Sequence, residues 1–196
     1  ASAKVVCHVA TDNYEGGKQA GIAMLEGLGG KGGKILILSF DVAQSCLARV
    51  KGFREVIAAH NRDHPGAKIE TVAELPGEAS REPSLRATAD TLETHGDLVG
   101  IFAINDPSAL GAVAAIEAAG KQAQVKVIGF DGQRIGKEAI KQGKIYADPI
   151  QFPKKMGRMV VQQMVRYFDG ELPPAQIPIP TSLYRKADAD KDPELK

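Results

Sequence analysis

Short aliphatic and β-branched runs alternate along the chain with longer stretches in which apolar residues recur every three or four positions. The short runs predict strands at 4–9, 34–39, 68–73, 98–105 and 125–130. The intervening stretches predict helices at 15–28, 45–60, 85–95, 108–119 and 135–142. In the second helix Val50, Phe53 and Ile57 fall on one face, the side that a helix buries. ILIL and VGIFAI are apolar without interruption, as strands are when helices cover both faces of their sheet. Strand–helix alternation repeated five times predicts an α/β fold, a doubly wound and mainly parallel sheet with helices on both faces.

The turn residues agree with this reading. GLGGKGGK follows the first helix and AAG ends the fourth, and glycine there supplies left-handed caps. Asp12 or Asn13 is placed to cap the first helix, and Asp106-Pro107 to open the fourth. Beyond about residue 148 the texture changes. Gln151-Phe-Pro reads as a loop, and 154–169 as a helix with Met156, Val160, Met164 and Tyr167 on one stripe. GELPPAQIPIP is extended, Pro-rich and unsuited to a central strand. The tail RKADADKDPELK is charged and expected to fray.

Composition removes several classes of function. In 196 residues, 25 Lys and Arg face 24 Asp and Glu, a net charge of +1 that gives no footprint for nucleic acid. No apolar run approaches the roughly 20 residues that span a bilayer. ASAKVVCHVA lacks the basic-then-apolar pattern of a leader, as a mature secreted chain also would. Cys7 and Cys46 could form at most one bridge, and two free thiols are the simpler reading. His8, His60, His64 and His95 have no zinc-ligand spacing, so no metal and no cofactor are expected. GGKGGK is not a phosphate loop, because Lys34 is followed by Ile35 and the glycines lead into a strand. Neither a dinucleotide fingerprint nor a nucleophile elbow is present. Cys46, near a helix start, is read as a packing residue rather than a low-pKa thiol.

Ligands of open parallel sheets sit beyond the carboxyl ends of the strands. FAIND ends in Asn105-Asp106, IGFDG ends in Asp131-Gly132, and IYADPIQFP carries Gln151. Arg49 follows the ILILSF strand, near the start of the next helix. Two amides, a carboxylate and a guanidinium on one edge form the set that a polyol needs, because each hydroxyl both donates and accepts. Asp131 has no histidine or lysine in its local motif to work with, so no catalytic residue is assigned and an enzyme is not expected.

VVCHVATDNYEGGKQAG, ARVKGFREVI, THGDLVGIFAINDPSALGAVAAIEAAG, VKVIGFDG and AIKQGKIYADPIQFPKKMG occur in that order. Together they resemble the ribose-binding type of periplasmic sugar-binding protein, the solute receptor of ABC sugar importers. That family shares its fold with the effector domains of LacI-type regulators. The likeness runs from about Val5 to Leu183. It implies a two-lobed receptor that closes over a monosaccharide or related polyol and delivers it to an ABC permease in the membrane. It also implies a periplasmic, or extracytoplasmic and lipid-anchored, location. A sugar-sensing regulator core is the alternative.

By the same resemblance, Arg49, Asn105, Asp131 and Gln151 match ligand-binding positions of the family. A second-lobe phenylalanine of the ribose-binding pattern has no counterpart near Ala79 or Ser80. In the family a complete N-terminal lobe precedes the segment matching VVCHVATDN. The implied division is 1–10 as a hinge crossing and first strand, and 11–149 as the sugar-binding C-terminal lobe. Residues 150–180 are then a return segment of the N-terminal lobe, and 181–196 a third crossing with a charged tail. The apolar stripe of helix 154–169 is then unpartnered, and self-association through it is expected.

Overall fold

A computed structural model describes residues 5–196. The central feature is a six-stranded sheet. Its strands are β2 (Gly33–Ser39), β3 (Ile69–Pro76), β4 (Leu98–Ala103), β5 (Lys126–Ile128), β6 (Ala147–Ile150) and β8 (Ser182–Arg185). Their order is β3-β2-β4-β5-β6-β8, parallel throughout except for the antiparallel β6–β8 pair. The chain enters at β2, steps outward to β3 and then crosses to β4, so the order reverses between β2 and β4. A separate two-stranded sheet pairs β1 (His8–Thr11) with β7 (Gln176–Ile179) in parallel.

The alternation of side chains explains the unbroken apolar runs. Ile35 and Ile37 of β2, with Phe102 of β4 and Ile128 of β5, pack beneath α1 (Asn13–Gly27) and α2 (Gln44–Asp63). Leu36, Leu38, Ile101, Ala103 and Val127 point the other way. They pack under α3 (Arg81–Thr94), α4 (Asp106–Ala118) and α5 (Arg134–Lys141). A strand with a core on each side has no polar face to show. Val50, Phe53 and Ile57 are buried as their spacing predicts, and the Phe53 ring stacks on Phe102 with centroids 4.4 Å apart.

Helices α1 and α2 approach closely because each offers a glycine. A Cβ on Gly17 would overlap the Arg49 carbonyl, and one on Gly52 would overlap the Tyr14 carbonyl. Backbone has little room to yield, so Gly17→Ala is expected to cost about 1–3 kcal/mol in urea unfolding. Gly157→Ala, at a helical position with open space around it, should leave stability equal or slightly higher. Equal shifts in both variants would remove the packing argument.

Three expectations change. Asp12 caps α1 through the Glu15 amide as foreseen, but α4 is capped by Asn105, which accepts from Ser108 N at 3.0 Å. Asp106 is therefore the first residue inside the helix. The charged tail does not fray within the described residues. It forms the short helix α7 (Lys186–Ala189) and a final 3-10 turn, with Asp192 accepting from Tyr184 Oη at 2.8 Å and Lys137 Nζ at 3.0 Å. These bonds, with the Glu194 amide foremost, hold the Asp192 carboxyl down at about 2. The Pro-rich stretch contributes β7, which has β1 as its one neighbour, an edge position where Pro178 is tolerated. The predicted first strand, 4–9, is observed at His8–Thr11, and Lys4 lies outside the described residues.

Helix α6 (Pro153–Phe168) packs on β1, with Gln163 its one buried residue. Val160, Met164 and Tyr167 border a shallow cleft that Val6, Cys7 and Val9 also line. The exposed apolar face is broader than the predicted stripe and includes Val161 (55%), Val165 (54%) and Phe168 (78%).

Candidate ligand site

The strand ends converge as the pattern predicts. Arg49 lies in the second turn of α2, and its side chain crosses the reversal point between β2 and β4 to donate from Nη1 to the Ile104 carbonyl at 2.6 Å. The same nitrogen pairs with Asp131 Oδ1 at 2.8 Å, while Nε donates to Asn13 Oδ1 at 2.9 Å. The guanidinium lies 3.7 Å from the centre of the Phe130 ring, a cation–π contact. Gln151 donates from Nε2 to Asp131 Oδ1 at 2.6 Å and accepts from the Thr11 hydroxyl at 2.5 Å. Three of the four sequence-selected residues thus form one bonded set.

Asp131 is held by unusual backbone. Its φ is +100°, a conformation that side chains rarely adopt, and Gly132 follows at +72°. The loop is pinned on both sides of the strain. Asp131 N donates to Pro149 O, and Gln151 N donates to Asp131 O at 2.9 Å. Strain held by its surroundings in this way fixes a side chain where a relaxed loop would not.

Asn105 stands apart from this set. Its oxygen caps α4, and its nitrogen donates to Ala79 O at 3.1 Å. It is on the same sheet edge, half-buried, with part of its amide already engaged. Ala79 lies in a turn where it and Glu78 both have positive φ.

What remains unused defines the chemistry. Arg49 Nη2 has no protein acceptor among the described residues, and Asp131 Oδ2 has one distant neighbour, Gln133 Nε2 at 3.5 Å. One rigid donor group and one acceptor therefore stand side by side on a bonded platform. That pairing suits adjacent hydroxyls, each able to give and take a hydrogen bond. Next to it, Thr11, Asn13, Tyr14, Gln44, Ser45 and Ala48 line an open cleft of about 740 Å³. A smaller cleft of about 290 Å³ lies at the opposite end of the strands, by Lys126, Lys144 and Tyr146, away from this chemistry.

Sequence reasoning missed Thr11, Asn13 and Phe130 as members of the set. Asn13 was visible as a helix-start residue and Phe130 as the apolar residue before Asp131. Nothing in the spacing links either to Arg49. Cys46 is buried, and burial pushes its thiol up despite the nearby Arg49, as fits a packing residue. Cys7 and Cys46 are both free thiols. Among the described residues no cluster of His, Cys, Asp and Glu could hold a metal ion.

The periplasmic binding protein domain family matches residues 1–172. The chain belongs to this periplasmic binding protein family. Among curated relatives, the ribose import binding protein of Haemophilus influenzae is 35% identical over 179 residues, covering 91% of this chain and 58% of that protein. Among solved structures, a solute-binding protein of Actinobacillus succinogenes with bound D-allose superposes with a TM-score of 0.87 at 27% identity, over 95% of this chain and 63% of that one. One from Agrobacterium vitis with bound D-fucose gives 0.83 at 32% identity, over 96% and 63%. The α/β fold, mainly parallel with helices on both faces, is that of the family's solved members. This periplasmic binding protein chain spans less than two thirds of the length of each of these relatives.

Proposed function

We propose that the chain is the C-terminal lobe of a sugar receptor, binding a monosaccharide or related polyol for an ABC importer outside the cytoplasm. The observation that carries this is the Arg49–Asp131–Gln151 set, which leaves a guanidinium donor and a carboxylate acceptor open at the sheet edge. Asn105, on the same edge, supplies an amide to the same ligand. The role is binding, with no reaction catalysed. An importer receptor is favoured over a regulator core because the curated relative named above is an import binding protein.

In this reading 11–149 form the lobe, and 150–180, with α6, belong structurally to a second lobe that closes over the sugar. Residues 1–10 and 181–196 complete the crossings. Closure adds contacts from the far side, and a site of micromolar affinity near −8 kcal/mol would fall to about −4 kcal/mol, or millimolar, with half of them. The permease partner engages the two-lobed form. As a separate chain, α6 pairs with α6 of a second copy. Lys154, Lys155 and Arg158 lie near the start of the helix, and at its end Arg166 is paired with Glu171, so antiparallel pairing keeps the two basic starts apart around the apolar centre.

Titration with ribose, galactose, glucose, xylose and inositol, followed by calorimetry and amide NMR, tests this. The expected result is binding no tighter than millimolar, with shifts centred on Arg49, Asn105, Asp131 and Gln151. Micromolar binding would refute the half-site. Absence of any shift at these residues, at sugar concentrations well above millimolar, would refute the sugar site.

A further inference from the structure

We propose that Asp106 and Asp148 form a proton-sharing carboxyl pair that positions the loop carrying Asp131. The loop's role in holding sugar rests on the reading above, whereas the pair itself does not. Both aspartates are fully buried, Asp106 at the start of α4 and Asp148 in β6. Among the described residues no hydrogen bond reaches Asp106 Oδ1, the Gly129 amide is the one backbone donor facing the Asp148 carboxyl, and no cation pairs with either carboxyl. Asp106 Oδ2 accepts from the Gln133 amide at 2.6 Å.

Two glycines make the room. A Cβ on Gly129 would strike Asp148 Oδ1, and one on Gly136 would strike the Asp106 carboxyl. The segment from Gly129 to Gly136 is therefore moulded over the pair, with Asp131 at its crest. The charged groups facing it are few. Asp131 is on the loop itself and is bonded to Arg49 from α2. On α5, Arg134 is engaged with Glu138 and Lys137 with Asp192, and on β8 Tyr184 is bonded to Asp192.

Two buried carboxylates without a cation would repel each other and lose their hydration. One retained proton answers both costs. Burial first, then Asp148, pushes the Asp106 carboxyl up. Burial likewise raises Asp148, opposed by its bond with Asp106. The proton thus resides on Asp106, whose Oδ1 donates to Asp148 while Oδ2 holds the loop amide. Native pKa values above the unfolded ones mean that the native state keeps protons the unfolded chain has released. Stability from the pair is full below the unfolded carboxylate range near 4 and is lost as pH rises through the native values.

The test is the wild-type chain with Asp148→Asn and Asp106→Asn, all without sugar. Infrared difference spectra of the wild type near neutral pH should show a protonated carboxyl band that Asp106→Asn removes. The Gln133 and Arg49 N–H resonances should titrate well above the ordinary carboxylate range, and Asp148→Asn, which removes the second carboxyl but not the burial, should move that step to lower pH and make the decline of stability with pH shallower. Absence of the carboxyl band in the wild type, or an unchanged titration in Asp148→Asn, would overturn the proposal. The infrared measurement decides even if a variant fails to fold.

Discussion

Arg49→Met is expected to lower unfolding stability by about 3–5 kcal/mol and to abolish the sugar-induced shifts. Methionine keeps much of the buried stem and removes the charge. What it leaves behind sets the cost. Asp131 loses the partner at 2.8 Å, the Ile104 carbonyl loses its donor, and Asn13 loses the Nε–H. The Arg49 side chain is 6% exposed and that of Asp131 17%, so water restores little of this. Arg49→Lys should recover only part of the loss, because an ammonium cannot reach three acceptors in the plane that the guanidinium spans. Asp131→Asn should cost less, since an amide oxygen can still accept from Arg49. Urea unfolding monitored by far-UV dichroism gives the order. If Arg49→Met stays within about 1 kcal/mol of the wild type, the bonded set is not what holds this edge together.

Val161→Glu with Val165→Glu and Phe168→Glu is expected to convert a self-associating chain to a monomer, with an unfolding midpoint that matches the wild type at concentrations where both are monomeric. Each of these apolar side chains is half or more exposed, so charge there costs the single chain little. In an α6–α6 contact each would be buried, worth about 1.5–3 kcal/mol per side chain. Losing three should weaken association at least a thousandfold. Light scattering across a concentration series reads this directly. A wild-type chain that remains monomeric at high concentration would end the proposal of self-association.

The doubly wound architecture was legible because burial on both faces leaves a simple trace, seen in ILIL and VGIFAI. The site was legible to the extent that its residues follow strand ends, which brought out Arg49, Asn105, Asp131 and Gln151. The bonds that hold them were not legible, because most join distant positions, 82 residues apart for Arg49 and Asp131 and 140 for Gln151 and Thr11. Asn105 illustrates the limit from the other side. The residue type suits a ligand amide and a helix cap equally, and the fold draws on the second use. The tail misled for a related reason. Its charges suggested solvent, and the buried Tyr184 and the Lys137–Asp192 pair that hold it involve residues far apart in sequence.

The arrangement of sheet edges has a consequence for handling the protein. The six-stranded sheet ends in β3, which carries Glu70 and Glu74, and in the four-residue β8, which turns at once into α7. Short or charged borders of this kind discourage edge-to-edge stacking between molecules. Among the described residues the β1–β7 ribbon has an unpaired border on each side, and α6 packs on its β1 strand. Clouding on storage should therefore start at that one pole, from fully folded molecules. Additives that raise the melting temperature would do little against it, and a charged surface on α6 would do more.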